Sequence, residues 1–172
     1  MSKILYTPTE IAHRVITISD KFNDLYQNYD HDQLVFIPIL QGAIPFFVDL
    51  CKHLHFDPYI EYAGVSSYNG TNQDILTEYK IPSPHTVKDK TVWLFDDLAD
   101  SGKTLKYLSN IMLEYGCKEV NTCVLIKKRT CTYPVNMYGF EIGSEWIYGY
   151  GMDGANGVDG RGRSLHSIWV ME

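Results

Sequence analysis

Nowhere in this chain of 172 residues do two cysteines stand as a CxxC pair. The four cysteines, at 51, 117, 123 and 131, are isolated, and His53 and His55 have no partner ligands nearby, so no zinc site is expected and the thiols should be reduced. Basic charge is also in short supply. Lys and Arg total 15 against 21 Asp and Glu, a net charge of -6, which argues against a general nucleic-acid binder and makes any anion site a local one. A long apolar run is missing too: LVFIPILQGAIPFFVDL (34–50) is interrupted by Gln41, Gly42 and two prolines, so no membrane span is expected. The opening MSKILYTPTE has no basic segment leading into an apolar one, so no signal peptide is expected, and the expected location is the cytoplasm.

What is present is ordinary for a globular protein, with 45% hydrophobic and 21% charged residues. The length suits a single domain, 1–172, able to bury roughly two-thirds of its unfolded surface. Thr7-Pro8-Thr9-Glu10 reads as a helix N-cap, a proline at the first helical position and a capping-box glutamate. Ile11, Val15, Ile18, Phe22 and Leu25 then recur at helical spacing. LVFIPIL (34–40) reads as a buried strand, followed by Gly42 and a helical stretch from Pro45 to Leu54. Thr91 to Phe95 reads as a second such strand, followed by a helix with Leu105, Leu108, Ile111 and Met112 on one face and Gly116 beyond its end. Val120–Ile126 is a third strand, with shorter ones expected at 146–150 and 167–170. Strand–helix alternation of this kind predicts an α/β fold with a doubly wound, mostly parallel sheet, whose ligands bind beyond the carboxyl ends of the strands. Two segments rich in Gly, Asn and Asp, SSYNGTNQD (66–74) and MDGANGVDGRGR (152–163), read as long loops.

The most informative stretch is VWLFDDLADSGKTLKYL (92–108). A glycine turn from strand to helix points free N–H groups at an anion, and Ser101 and Thr104 add hydroxyl donors. A nucleoside-triphosphate P-loop would need glycine where Asp97 stands. A phosphoacceptor receiver domain would carry its acid pair near the start of the chain. An acidic loop capping a helix accounts for Asp100 or Ser101 but not for Asp96 and Asp97 as well. Carboxylates accept hydrogen bonds, so an acid pair beside a phosphate cradle suits a ligand with both a phosphate and vicinal hydroxyls, which describes a ribose phosphate.

The stretch resembles the phosphoribosyl-pyrophosphate signature of the type I phosphoribosyltransferases: apolar strand, two acids, two spacers, then Asp-Ser/Thr-Gly-x-Thr. The likeness runs from about Ile4 to Val170 and is nearest to the 6-oxopurine branch, the hypoxanthine-guanine phosphoribosyltransferases. It implies the type I fold with a small hood built from N- and C-terminal segments (140–172 on the C-terminal side) and a mobile lid around 66–86. It also implies that Asp96 and Asp97 hold the ribose hydroxyls, that Asp100, Ser101, Gly102, Lys103 and Thr104 wrap the 5′-phosphate, and that Asp100 serves as general base or electrostatic stabiliser. Gln41 and Gly42 fall at the family's pyrophosphate loop, where a strained peptide exposes N–H groups and many relatives carry Lys or Arg in place of Gln41. Ser67 and Tyr68 match the serine–tyrosine pair of the lid. Lys128 matches the lysine that donates to the purine O6, although as a strand-end lysine it could equally be a solvated charge. Trp146 would stack on the base and Ile147 would offer backbone groups to its edge, although Trp146 could instead be core. Asp153, with Asp96 and Asp97, would meet magnesium, and Arg163, in competition with Arg161, would reach the pyrophosphate.

The implied activity is purine salvage, transferring 5-phosphoribosyl from phosphoribosyl pyrophosphate to N9 of hypoxanthine or guanine with Mg2+. The implied assembly is a homodimer or homotetramer, with no nucleic-acid or membrane partner. Two alternatives stand beside it: a xanthine-preferring transferase, and a non-catalytic sensor of phosphoribosyl pyrophosphate.

Overall fold

The computed structural model describes residues 2–70, 73–153 and 161–171. The first helix, α1 (Pro8–Tyr26), begins as its sequence predicts. The Thr7 hydroxyl accepts from the Glu10 N–H, and the Glu10 carboxylate takes the Thr7 N–H in return at 2.9 Å. Ile11, Val15, Ile18 and Phe22 are buried along one face.

The main sheet is built around β2 (Leu34–Leu40), β6 (Thr91–Ala99), β7 (Glu119–Lys128) and β8 (Met137–Ile142), all parallel and adjacent in that order. On the other side of β2 lie first β3 (Tyr59–Ile60), then β4 (Ala63–Gly70), both parallel to it; antiparallel β5 (Gln73–Lys80) completes that edge. Side chains alternate across a strand, so consecutive apolar residues serve both faces. Phe36, Trp93 and Phe95 pack with Phe22 of α1 and with Phe46 and Phe47 of α2 (Ile44–Cys51). Val35, Ile37, Val92 and Leu94 pack on the other face with Leu105, Leu108 and Met112 of α4 (Lys103–Glu114), the helix after the short α3 (Pro84–Val87). This is why the strands at the sheet centre read as unbroken apolar runs.

A second, three-stranded antiparallel sheet joins the chain ends in the order β1 (Ser2–Tyr6), β10 (Ile168–Met171), β9 (Ile147–Tyr148). It is the small hood. Met137–Ile142 belongs to the main sheet, so within 140–172 the hood's own strands begin only at Ile147.

The structure departs from expectation in three places. The segment 66–74, read as a loop, lies largely in the β4–β5 hairpin, with Ser67 opposite Leu76 and Tyr68 opposite Ile75. Its polar composition hides it, although Asn69-Gly70 near the tip is a hairpin signal. β6 runs on through Asp96, Asp97 and Ala99 instead of ending at Phe95, because each of these positions except Asp97 still has a backbone partner on β7. α2 stops at Cys51, short of Leu54. The side chains of Ser67 and Tyr68, and all of Gly154–Gly160, lie outside the described residues.

Candidate active site

A cleft of about 380 Å³ opens at the carboxyl ends of β2, β6 and β7. The end of β2 and the turn after it supply Leu40, Gln41 and Gly42; β6 supplies Asp96 and Asp97, and Asp100 follows its last residue; α4 supplies Thr104 and β7 Lys128. Trp146, Ile147, Asp153 and Arg163 face it from the hood side. Strand register explains much of this convergence. Ala99 pairs with Lys127, so the next residues, Asp100 and Lys128, emerge level with each other. They meet: Lys128 Nζ donates to Asp100 Oδ2 at 2.8 Å. Lys128 is only 5% exposed, so it is not a solvated strand-end lysine. Lys127, pointing the other way, pairs with Glu141 on β8 at 3.2 Å.

Asp100 therefore does not cap α4. The N-cap is Gly102, with no side-chain cap bond, at a φ of 81°. Glycine is required there on two counts, since a side chain would need a left-handed backbone and would collide with Tyr133. A small hollow of about 80 Å³ lies over this turn, bordered by Ser101, Gly102, Lys103 and Thr104. It lies at the N-terminal, positive end of a twelve-residue helix.

Asp96 and Asp97 stand side by side at the cleft floor, and the Asp97 N–H donates to Asp96 Oδ1 at 3.0 Å. Burial pushes both carboxyls above the usual carboxylate range, and at Asp96 the Asp97 charge adds to it. Hydrogen bonds and the Arg163 charge offset part of the rise at Asp97. These partners offset only part of the buried negative charge, which is the condition a hydroxyl-bearing or cationic ligand relieves. Gly42 packs directly against Asp97: a Cβ on it would displace the Asp97 carboxylate. The preceding Leu40–Gln41 peptide bond is cis.

On the hood side Trp146 is 51% exposed at the cleft mouth and is not core. Arg163 reaches into the cleft, pairing with Asp153 at 2.5 Å and donating to the Gly151 carbonyl at 2.6 Å. Arg161 lies at the surface. Among the described residues no cluster of three or more His, Cys, Asp or Glu is arranged to hold a metal, and Asp153 is engaged by Arg163 and not grouped with Asp96 and Asp97. Magnesium, however, typically takes only one or two protein carboxylates together with substrate phosphates and water, and the Asp96–Asp97 pair fits that donor set. Two residues that the sequence did not single out also bear on the site: Tyr150 and Asp49 hydrogen-bond behind the cleft wall.

A doubly wound, mostly parallel sheet with a hood, an acid pair near the end of one central strand and a glycine-capped turn into the next helix define a type I phosphoribosyltransferase. The family model for the phosphoribosyl transferase domain matches residues 8–153, and the chain belongs to that family. It is 29% identical over 158 residues to the hypoxanthine-guanine phosphoribosyltransferase of Dictyostelium discoideum, covering 88% of this chain and 87% of that one. A crystal structure of the hypoxanthine-guanine enzyme of Bacillus anthracis superposes with a TM-score of 0.85 at 25% identity, covering 99% of this chain and 98% of that one. The hypoxanthine phosphoribosyltransferase of Trypanosoma cruzi, in complex with the product IMP, gives 0.84 at 27% identity, covering 99% and 94%. Enzymes of this family use Mg2+ with phosphoribosyl pyrophosphate. No helix among the described residues is long and apolar enough to cross a membrane.

Proposed function

We propose that this protein is a purine-salvage enzyme that transfers 5-phosphoribosyl from phosphoribosyl pyrophosphate to N9 of hypoxanthine or guanine, forming IMP or GMP and pyrophosphate. The observation that carries the proposal is the buried Lys128 held against Asp100 at 2.8 Å, facing a half-exposed Trp146 across the cleft. A buried ammonium has three protons to place. A 6-oxopurine stacked on Trp146 offers O6 to Lys128 and N7 to Asp100, with Ile147 backbone groups at the base edge. The 6-amino group of adenine would leave both that donor and Lys128 unsatisfied, which is costly in a site of this kind.

The phosphoribosyl group occupies the other half. Asp96 and Asp97 accept hydrogen bonds from the ribose 2′- and 3′-hydroxyls, and the turn from Ser101 through Gly102 and Lys103 to Thr104 receives the 5′-phosphate. Asp100 favours the positive charge that develops at C1′ and accepts or shares the proton at purine N7. Gln41, Gly42 and Arg163 face the pyrophosphate. Asp96, Asp97 and Asp153, the last once released from Arg163, are the residues that would hold Mg2+. When bound, the ion neutralises the pyrophosphate and makes it a better leaving group. Ser67 and Tyr68, on the β4–β5 hairpin within the 66–86 lid, exclude water from the reacting centre, which would otherwise be captured by hydrolysis. The working unit is a single domain, assembled as a homodimer or homotetramer, acting in the cytoplasm with reduced thiols and needing neither nucleic acid nor membrane. No specific observation favours a xanthine-preferring enzyme or a non-catalytic sensor.

The test is a spectroscopic assay of nucleotide formation with Mg2+, phosphoribosyl pyrophosphate and each of hypoxanthine, guanine, xanthine and adenine. Turnover with hypoxanthine or guanine is expected. Failure with every 6-oxopurine would contradict the proposal.

A further inference from the structure

Gly149, Tyr150 and Gly151 take φ of 100°, 49° and 96° in succession. Glycine enters that region freely, whereas a residue with a Cβ stays there only when its surroundings hold it. Tyr150 is held by Asp49, 101 positions away in sequence: the Tyr150 hydroxyl donates to Asp49 Oδ2 at 2.6 Å. The other carboxylate oxygen of Asp49 receives Lys52 Nζ at 2.6 Å. Burial and the Asp49 charge keep the Tyr150 phenol protonated. At Asp49 burial works in the opposite direction, but hydrogen bonds from Lys52 and Tyr150 outweigh it and hold the carboxyl below its usual range. Donor and acceptor thus keep their roles throughout the neutral range.

The location of this bond gives it a consequence for the reaction. Asp49 lies on α2, which begins at Ile44, immediately after the 41–43 turn at the pyrophosphate end of the cleft. One residue past Tyr150, the backbone of Gly151 rests against the Gly42 carbonyl so closely that a Cβ could not fit between them. The Gly151 carbonyl accepts from Arg163, which also pairs with Asp153. The purine end of the same segment is secured differently. Ile147 and Tyr148 pair with Val170 and Trp169 in the hood sheet, and the Met171 N–H donates to the Trp146 carbonyl at 3.0 Å.

We infer that the Tyr150–Asp49 hydrogen bond is a positioning clamp that fixes Asp153 and Arg163 against Gly42, and so sets affinity for phosphoribosyl pyrophosphate while leaving the purine end to the sheet. The inference rests on the function proposed above. Tyr150 and Asp49 touch no reacting atom; they act through the loop they tie down.

The experiment compares Tyr150→Phe, which keeps the ring and removes the hydroxyl, with Asp49→Ala and the double variant. KM for phosphoribosyl pyrophosphate, and its Kd measured by calorimetry without base, should rise on the order of ten-fold in each single variant. KM for hypoxanthine should stay within about two-fold, because its contacts are held by the hood sheet. The double variant should be no worse than the worse single one, since both remove the same bond. If Tyr150→Phe does not fold, Asp49→Ala carries the same test, because the Asp49 side chain is 40% exposed and on a helix that tolerates alanine. A folded variant with unchanged affinity for phosphoribosyl pyrophosphate would overturn the clamp. So would an equal rise in both KM values, which is what general loosening produces, or an additive double variant. Wild-type protein that turns over while the variants do not shift would defeat the clamp alone; wild-type protein with no turnover would defeat the proposed function and the clamp together.

Discussion

The two walls of the cleft are built in opposite ways. One is contiguous: between Asp96 and Thr104 the chain passes from strand to turn to helix, and nearly every group proposed to meet the ribose phosphate comes from nine successive residues whose positions follow from local geometry. The other wall, formed by residues 146–153 and Arg163, is held by contacts distant in sequence: Tyr150 on Asp49, Gly151 on Gly42, and the pairing of β9 with β10, which in turn pairs with β1. The first wall carries its own information in its sequence. The second takes its shape from the rest of the molecule, so the inferred clamp places part of its function on residues outside the cleft.

Perturbing each wall sharpens the contrast. Asp100→Asn strikes the contiguous wall at its reactive point and should lower kcat by about 30- to 1000-fold, the equivalent of about 2–4 kcal/mol of transition-state stabilisation, with the fold intact by circular dichroism. Wild-type turnover would reduce Asp100 to a partner for Lys128. Lys128→Ala should lower kcat/KM for hypoxanthine on the order of a hundred-fold, and lower that for adenine much less, because the lost donor is the one that distinguishes the two bases. The ten-fold, substrate-selective shift expected of Tyr150→Phe is the matching blow to the far wall and comes next in size.

Two further variants are read in the stability of the ligand-free protein. Asp96→Asn should abolish or weaken ribose binding yet raise the Tm of the ligand-free protein at neutral pH. Burial raises the folded pKa of Asp96, so the unfolded chain ionises first as pH rises from about 4, and the cost of the buried charge grows from there until the folded pKa is passed. The Tm gain should therefore be present at pH 7 and vanish in acid; a gain that persists unchanged at low pH would contradict the assignment. The slightest perturbation is Thr7→Ala, which removes the α1 cap, a group that does not line the cleft. It should lower Tm by a few degrees and leave kcat and both KM values unchanged.

The same division explains what could be read from the sequence. The α1 capping box, the apolar runs of β2 and β6 and the Gly116 turn after α4 are local signals, and they appear in the fold as expected. Strand β1 could not be read this way: SKILY is mostly exposed and is a strand only because β10 lies beside it. β8, with Gly139 at its centre, likewise owes its existence to β7. In the site, the spacing of Asp96, Asp97 and Asp100 before a glycine turn is a local signal, and the structure brings all three to one cleft. Lys128 and Trp146 each had a bland explanation, a solvated strand end and a core aromatic, and it took the burial of Lys128 and the exposure of Trp146 to remove it. Asp49 and Tyr150 carried no local signal, since a helix aspartate and an aromatic between glycines announce nothing until they are brought within 2.6 Å.

The central claim is that the two walls together read a 6-oxopurine and join it to a ribose phosphate. It is tested most directly by the ratio of kcat/KM for hypoxanthine to that for adenine, measured with phosphoribosyl pyrophosphate and Mg2+ on the wild-type protein and on Lys128→Ala. A ratio above about a hundred in the wild type, collapsing in the variant, is the predicted result. Equal use of the two bases by the wild-type protein, or a ratio untouched by the loss of Lys128, would contradict it.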